Sequence, residues 1–209
     1  MKILFAGTTA NAAEVLRYLH KQARHEIVGV LTRTDAQVGR KRELRESAVA
    51  QLAGELGLRV IKANVVDDHT NDELAKLDAE LGLVVAYGAF LKRQTLGIPA
   101  HGWINIHFSL LPELRGAAPV QRAIIQGLRE TGVSIFKLDE GMDTGPILAQ
   151  VPTVIEHGEN AGVLLSRLTN VSLTMLDECL AVGIWNRARE ASVRPGNDGT
   201  EAHKARRAH

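Results

Sequence analysis

Apolar residues in the first half of the chain come in short runs separated by longer amphipathic stretches. Residues 3–6, 27–31, 83–86 and 103–106 are almost wholly apolar over strand length, while 11–22 and 47–56 space their apolar positions as helices do. Strands that are apolar on both faces and alternate with helices predict an α/β fold, built on a mostly parallel sheet with helices on both faces. After Thr131 the texture changes. Two further strands are expected at 133–138 and 147–155, joined by the turn-rich Asp139-Glu140-Gly141-Met142-Asp143-Thr144-Gly145-Pro146. A long helix is expected over 160–182, where Val163, Leu164, Leu168, Val171, Leu173, Leu176 and Leu180 keep the spacing of a core-facing stripe.

From Arg187 to His209 large apolar residues nearly vanish, so the segment cannot offset the entropy of ordering and reads as a linker or disordered tail. The rest of a 209-residue chain suffices for one large domain. Hydrophobic residues at 45% and charged residues at 23% are those of a soluble globular protein. The formal charge of +1 supplies no global field for nucleic acid, so any basic surface has to be local. Cys179 is the only cysteine and lies between Leu176 and Leu180, the setting of a buried, inert thiol, and a reducing cytoplasm fits it. The opening apolar run is too short for a signal segment, and no stretch reaches membrane-spanning length.

Chemistry concentrates at Trp103-Ile104-Asn105-Ile106-His107-Phe108-Ser109-Leu110-Leu111-Pro112, where a buried strand runs into a loop. Ligands sit at the carboxyl ends of strands in such sheets, and side chains two apart on a strand share a face. Asn105 and His107 therefore project together. An amide that donates to an oxyanion beside an imidazole that moves a proton suits acyl transfer. The same pair also fits two satisfied structural polars. Asp143 is the candidate carboxylate to complete the set, between Gly141 and Gly145, although that loop also fits a solvated hairpin turn. Gly7-Thr8-Thr9 lacks the further glycines of a dinucleotide fingerprint and any Gly-Lys-Ser/Thr, and reads as a strand-to-helix turn. The 8 histidines are scattered without metal-binding spacing, so a metal-free site is expected. Local basic character appears at 40–45 and 204–207, open to solvated surface or to phosphate contact.

Together, Phe5-Ala6-Gly7-Thr8, Val84-Val85-Ala86-Tyr87-Gly88, Asn105 to Pro112, Arg115-Gly116-Ala117-Ala118-Pro119-Val120-Gln121 and Leu138 to Ile147 resemble the amino-terminal, formyl-folate-binding domain of the methionyl-tRNA formyltransferases. The resemblance implies a Rossmann-like, mostly parallel twisted sheet and places the family's catalytic trio on Asn105, His107 and Asp143. It further implies 10-formyltetrahydrofolate as formyl donor, held by Tyr87, Gly88, Leu91, Asp139 and Gly141, with Ser109, Leu110, Leu111 and Pro112 shaping the mouth. The acceptor would be initiator methionyl-tRNA, in initiation of translation in the cytoplasm. A basic loop after the second strand, here Arg40, Lys41 and Arg42, would meet its acceptor end, guanidinium being suited to bidentate phosphate contact.

By this resemblance residues 1–186 form the catalytic domain, 187–209 a linker or tail, and the family's carboxyl-terminal tRNA-binding domain is missing from the 209 residues. A monomer is expected, with no membrane contact. Where family members have Gly-Thr-Pro and an acidic residue, this chain has Gly7-Thr8-Thr9-Ala10-Asn11. Glycinamide ribonucleotide formyltransferases share the length, but their Gly-x-Gly-Ser-Asn start is absent. A sugar-nucleotide amine formyltransferase and a folate-binding module without transfer activity also compete with the methionyl-tRNA reading.

Overall fold

The computed structural model describes residues 1–39 and 42–183. The expected tail at 187–209, the boundary at 186, and Arg40 and Lys41 lie outside the described residues. Ile3 and Phe5 turn to one face of the first strand, Leu4 and Ala6 to the other, and all four are fully buried in separate core clusters. That two-sided burial explains why the strand runs read as continuously apolar rather than alternating.

In chain order the elements are β1 (Lys2–Gly7), α1 (Ala10–Gln22), β2 (Glu26–Thr32), β3 (Ala36–Val38), β4 (Glu43–Arg45), α2 (Ala48–Glu55), β5 (Val60–Lys62) and α3 (Asp68–Ala75). They continue with β6 (Leu81–Val85), α4 (Arg93–Leu96), β7 (Trp103–His107), α5 (Pro119–Ile125), β8 (Glu130–Lys137), β9 (Ile147–Val154) and α6 (Ala161–Val182). The 7-stranded sheet has the order β5-β2-β1-β6-β7-β8-β9. β5, β2, β1, β6 and β7 pair in parallel, and β8 and β9 close the edge antiparallel. The α/β expectation, with a mostly parallel sheet and helices on both faces, holds. One face carries α1, α2 and α6 through Leu16, Leu52 and Leu168; the other carries α3 through Leu74, beside Tyr87 and Trp103.

The expected elements sit where the pattern put them, with ends set by local chemistry. Ser47 caps α2 by accepting from Ala50 N at 2.9 Å, and Asn160 caps α6 by accepting from Gly162 N and Val163 N at 3.0 Å. Gly183, at φ +60°, ends α6. Val163 departs from the expected stripe: it is 56% exposed, because it lies about 100° round the helix from buried Leu164. Arg42 directly precedes β4, whose Glu43 pairs with Val38 of β3, and every residue of both strands is exposed.

The topology fixes where a ligand fits. The chain leaves β1 for β2 and β5 on one side, then returns to β6 and β7 on the other, so the connections part at the carboxyl ends of β1 and β6. Gly7 ends β1 at that point, where a Cβ would come within 2.9 Å of Val85 O and of Ala12 Cβ. No described helix is long and apolar enough to cross a membrane.

Candidate active site

β7 lies between β6 and β8, with Asn105 opposite Val84 and Phe136, and His107 opposite Ser134. Both side chains line a cavity of about 530 Å³ bounded by residues 86–91 after β6, 116–119 at the start of α5, and 138–139 and 141–143 after β8. Asp143 lines it too. The sheet has thus brought two side chains from one strand against a carboxylate from the β8–β9 connection.

His107 is 6% exposed, and its Nε2 lies 3.0 Å from Leu114 O. A carbonyl oxygen only accepts, so Nε2 carries the proton and donates. Nδ1 faces Asp143 Oδ2 at 3.7 Å, too long for a direct hydrogen bond but short enough for a third atom to touch both. Phe136 meets the imidazole edge-on, with ring centroids 6.4 Å apart. Burial holds the imidazole below its ordinary value; Asp143 and Leu114 O oppose that shift, and Arg122 adds to it. A neutral resting ring is the outcome.

Asp143 sits at φ +53°, a left-handed conformation that aspartate tolerates better than most residues. Its Oδ2 accepts from Gly116 N at 2.6 Å. The preceding turn is closed by Asp139, whose Oδ1 accepts from Gly141 N at 3.0 Å and from Thr144 Oγ1 at 2.8 Å. Gly145 lets this connection press against β8, since a Cβ there would stand 1.8 Å from Lys137 O. The segment is a hairpin connection, as its turn residues suggested, but Asp143 is half-buried within it rather than solvated.

A second cavity of about 540 Å³ adjoins the first outside β1, β2 and β5, and the two share Thr9, Ala86, Tyr87 and Gly88. Arg33 lines it, donating from Nε to Asn64 Oδ1 at 2.7 Å and from a terminal nitrogen to Gly88 O.

Residues 1–180 match the family model described as Formyl transferase. The chain belongs to the formyl transferase family. It is similar to the methionyl-tRNA formyltransferase of Paenarthrobacter aurescens (strain TC1), at 48% identity over 181 residues that cover 87% of this chain and 59% of that one. The chain therefore spans about three-fifths of the length of the curated relatives it matches. The fold is that of the phosphoribosylglycinamide formyltransferase from Bacillus Halodurans, with a TM-score of 0.69 and 22% identity, covering 84% of this chain and 91% of that one. It is also that of an N-formyltransferase from Helicobacter canadensis solved with folinic acid and dTDP-3-aminofucose, with a TM-score of 0.67 and 20% identity, covering 90% of this chain and 66% of that one. At these identities the two structures speak for the fold alone.

Of the folate contacts expected in this formyl transferase, Tyr87, Gly88, Leu91, Asp139 and Gly141 line the first cavity. Tyr87 does so from a buried position: its hydroxyl donates to Ala63 O at 2.7 Å, and burial pushes its pKa up to about 12. Ser109, Leu110, Leu111 and Pro112, expected at the mouth, follow His107 directly but are not among the residues lining this cavity. The chain turns inward there. Ser109 Oγ donates to Glu113 O, Ser134 Oγ donates to Ser109 O, Leu111 N donates to Ser134 Oγ, and Gln150 Nε2 donates to Leu111 O. Leu110 lies over Gly132 of β8.

Phe90 and Met142 fall inside the stretches 87–91 and 139–143 whose backbone the resemblance placed against the pterin, and Thr9 and residues 116–119 belong to segments it singled out, whereas Arg33 and Asn64 of the second cavity were missed. Arg33 and Asn64 were within reach, because each follows a strand end in a parallel sheet. The structure adds that the Phe90 and Met142 side chains are 57% and 58% exposed on the cavity wall.

Proposed function

We propose that this chain carries the catalytic site of a methionyl-tRNA formyltransferase, moving the formyl group of 10-formyltetrahydrofolate to the amine of initiator methionyl-tRNA in cytoplasmic translation initiation. The observation that carries the reading is the convergence of Asn105, His107 and Asp143 on one cavity, in a chain 48% identical to a relative of that name. Residues 1–186 form the catalytic domain in this reading, acting as a monomer.

The donor's pterin lies against the backbone at Tyr87, Gly88, Leu91, Asp139 and Gly141, with Phe90 and Met142 at the rim. The acceptor amine comes from the adjoining cavity, past Thr9 and Gly88. Its lone pair forms the new C–N bond at the formyl carbon, and the carbonyl π electrons move to oxygen. The Asn105 amide donates to that oxyanion, the largest stabilisation such a site offers. The proton lost by the amine passes to the His107–Asp143 pair. Burial favours a neutral resting His107, so the cation beside the oxyanion arises with this transfer rather than before it. The bond from the formyl carbon to the folate nitrogen then breaks, its electron pair stays on that nitrogen, and the nitrogen takes up a proton. No covalent enzyme intermediate is involved.

Arg42, which directly precedes the exposed strand β4, meets the acceptor-stem phosphates, a role that Arg40 and Lys41 share in this reading. Transfer from 10-formyltetrahydrofolate should fall by ~10²–10⁴-fold in Asn105→Ala, His107→Ala and Asp143→Asn. Intact turnover in the first two variants sinks the assignment. Charged initiator tRNA, glycinamide ribonucleotide and an amino-sugar nucleotide, assayed separately, identify the acceptor.

A further inference from the structure

Arg122, on α5, lies outside the lining of both cavities and was singled out by no sequence motif. Its Nη2 donates to Leu114 O at 2.6 Å and to Arg115 O. Leu114 O is also the acceptor for His107 Nε2, at 3.0 Å. One carbonyl thus links a guanidinium to the imidazole of the candidate site.

Both sides of that carbonyl carry an energetic penalty. Arg122 Nε is buried without a hydrogen-bond partner, a cost that an apolar side chain of similar volume would avoid. The segment it grips holds Leu114 at φ +56°, Gly116 at +83° and Ala118 at +53°, and left-handed conformations at non-glycine residues cost on the order of 1 kcal/mol or more each. Two contacts over-determine this backbone: Arg122 on the carbonyls of Leu114 and Arg115, and Asp143 on Gly116 N. An apolar residue could fill the space, but it could not hold two carbonyls.

We propose that Arg122 is a positioning residue that pins the Leu114 carbonyl, thereby fixing His107 as its Nε2–H tautomer and leaving Nδ1, opposite Asp143, to receive the proton of the attacking amine. The charged groups acting on His107 are Asp143 from the β8–β9 connection and Arg122 from α5; Phe136 of β8 presents only a ring. With Arg122 removed, the carbonyl is free to rotate away, the tautomer is no longer dictated, and a positive charge that disfavours imidazolium is lost. The role of the proton rests on the formyl-transfer reading; the tautomer does not.

The test uses the 209-residue chain. Long-range ¹⁵N–¹H correlation on histidine-labelled protein, with His107 assigned by the peak missing in His107→Gln, reads the tautomer without substrate. The wild type should show Nε2–H, and Arg122→Gln a mixture. In transfer assays the acidic limb of kcat/KM should move down in Arg122→Gln, because the lost Leu114 hydrogen bond, which raises the imidazole, outweighs the lost guanidinium charge, which lowers it; kcat should fall, and affinity for a reduced folate analogue should stay within about twofold. Arg122→Lys, which keeps a charge and donors, should restore the limb toward wild type. An Nδ1–H imidazole in the wild type overturns the proposal. So does an unmoved tautomer and limb in folded Arg122→Gln, or loss of the fold in both variants, which would make Arg122 structural only. If transfer is absent while the tautomer responds as stated, the positioning stands and the formyl-transfer reading fails.

Discussion

Gly116 N–H meets the Asp143 carboxylate at 2.6 Å, joining the loop before α5 to the β8–β9 connection across 27 residues of sequence. The same oxygen stands 3.7 Å from His107 Nδ1. A backbone donor on Asp143 holds the carboxylate in place without neutralising it, and leaves its charge to act on the imidazole. Neither loop could set this geometry alone.

The β8–β9 connection should not tolerate a methyl at Gly145. The Cβ of Gly145→Ala would meet Lys137 O, a backbone atom that cannot rotate aside, at 1.8 Å. Denaturant melts should show a loss of about 1–3 kcal/mol, with transfer falling further than folate affinity because Asp143 shifts. Wild-type stability in this variant would mean that the loop is not pressed against β8.

Stability should decline on mild acidification. His107 is held by burial below its ordinary value of 6.5, so around and below that pH the unfolded chain binds a proton that the folded chain does not. Its contribution is intact above pH 6.5 and is lost as pH falls toward the folded-state value. His25, also shifted down by burial, acts in the same direction. Thermal melts from pH 8 to 5 should therefore show a smaller acid-side fall in His107→Gln than in the wild type, with His25→Gln as the companion measurement. An identical fall in His107→Gln would place the imidazole in a more solvated setting than the structure has it.

Phe90 should contribute to binding without contributing to folding. Its ring is 57% exposed on the cavity wall, so Phe90→Ala should change stability by less than about 0.5 kcal/mol. Affinity for a reduced folate analogue should weaken by about 1 kcal/mol, roughly fivefold, as read by calorimetry. Unchanged affinity would remove Phe90 from the donor site.

Cys179 should behave as a reporter of unfolding. It is 2% exposed and burial pushes its thiol up to about 11, so native protein should react negligibly with a thiol-specific disulfide at pH 8, and denatured protein stoichiometrically. Rapid labelling of the native state would show that the carboxyl-terminal half of α6 opens readily.

Legibility followed burial. β1, β2, β6 and β7 are apolar because both faces of the sheet are covered, and α1, α2 and α6 keep one apolar stripe each; these were readable from periodicity alone. β5, β3, β4 and α3 were not. The hairpin strands are 3 residues each with every residue exposed, and α3 buries only Thr70, Asn71 and Leu74, so no apolar period marks them. Asn105 and His107 were readable as a pair because both belong to one strand end. Asp143 could be nominated from its glycines, but its approach to His107 depends on antiparallel pairing of β8 with both β7 and β9.

The amino-acid sequence by itself determined the layered α/β architecture, the strand that presents Asn105 and His107, and the motifs that place the chain among formyl transferases. These follow from local periodicity and from short contiguous strings. Tertiary structure alone decided that Ser109 and Leu111 are tied to Ser134 and Gln150, that the Phe90 and Met142 side chains stay exposed on the cavity wall, and that Arg122 reaches His107 through a shared carbonyl. The reason is physical: each of these depends on a backbone carbonyl, a hydroxyl or an open space contributed by a distant segment, and a linear pattern of side chains carries no record of where such partners come to lie.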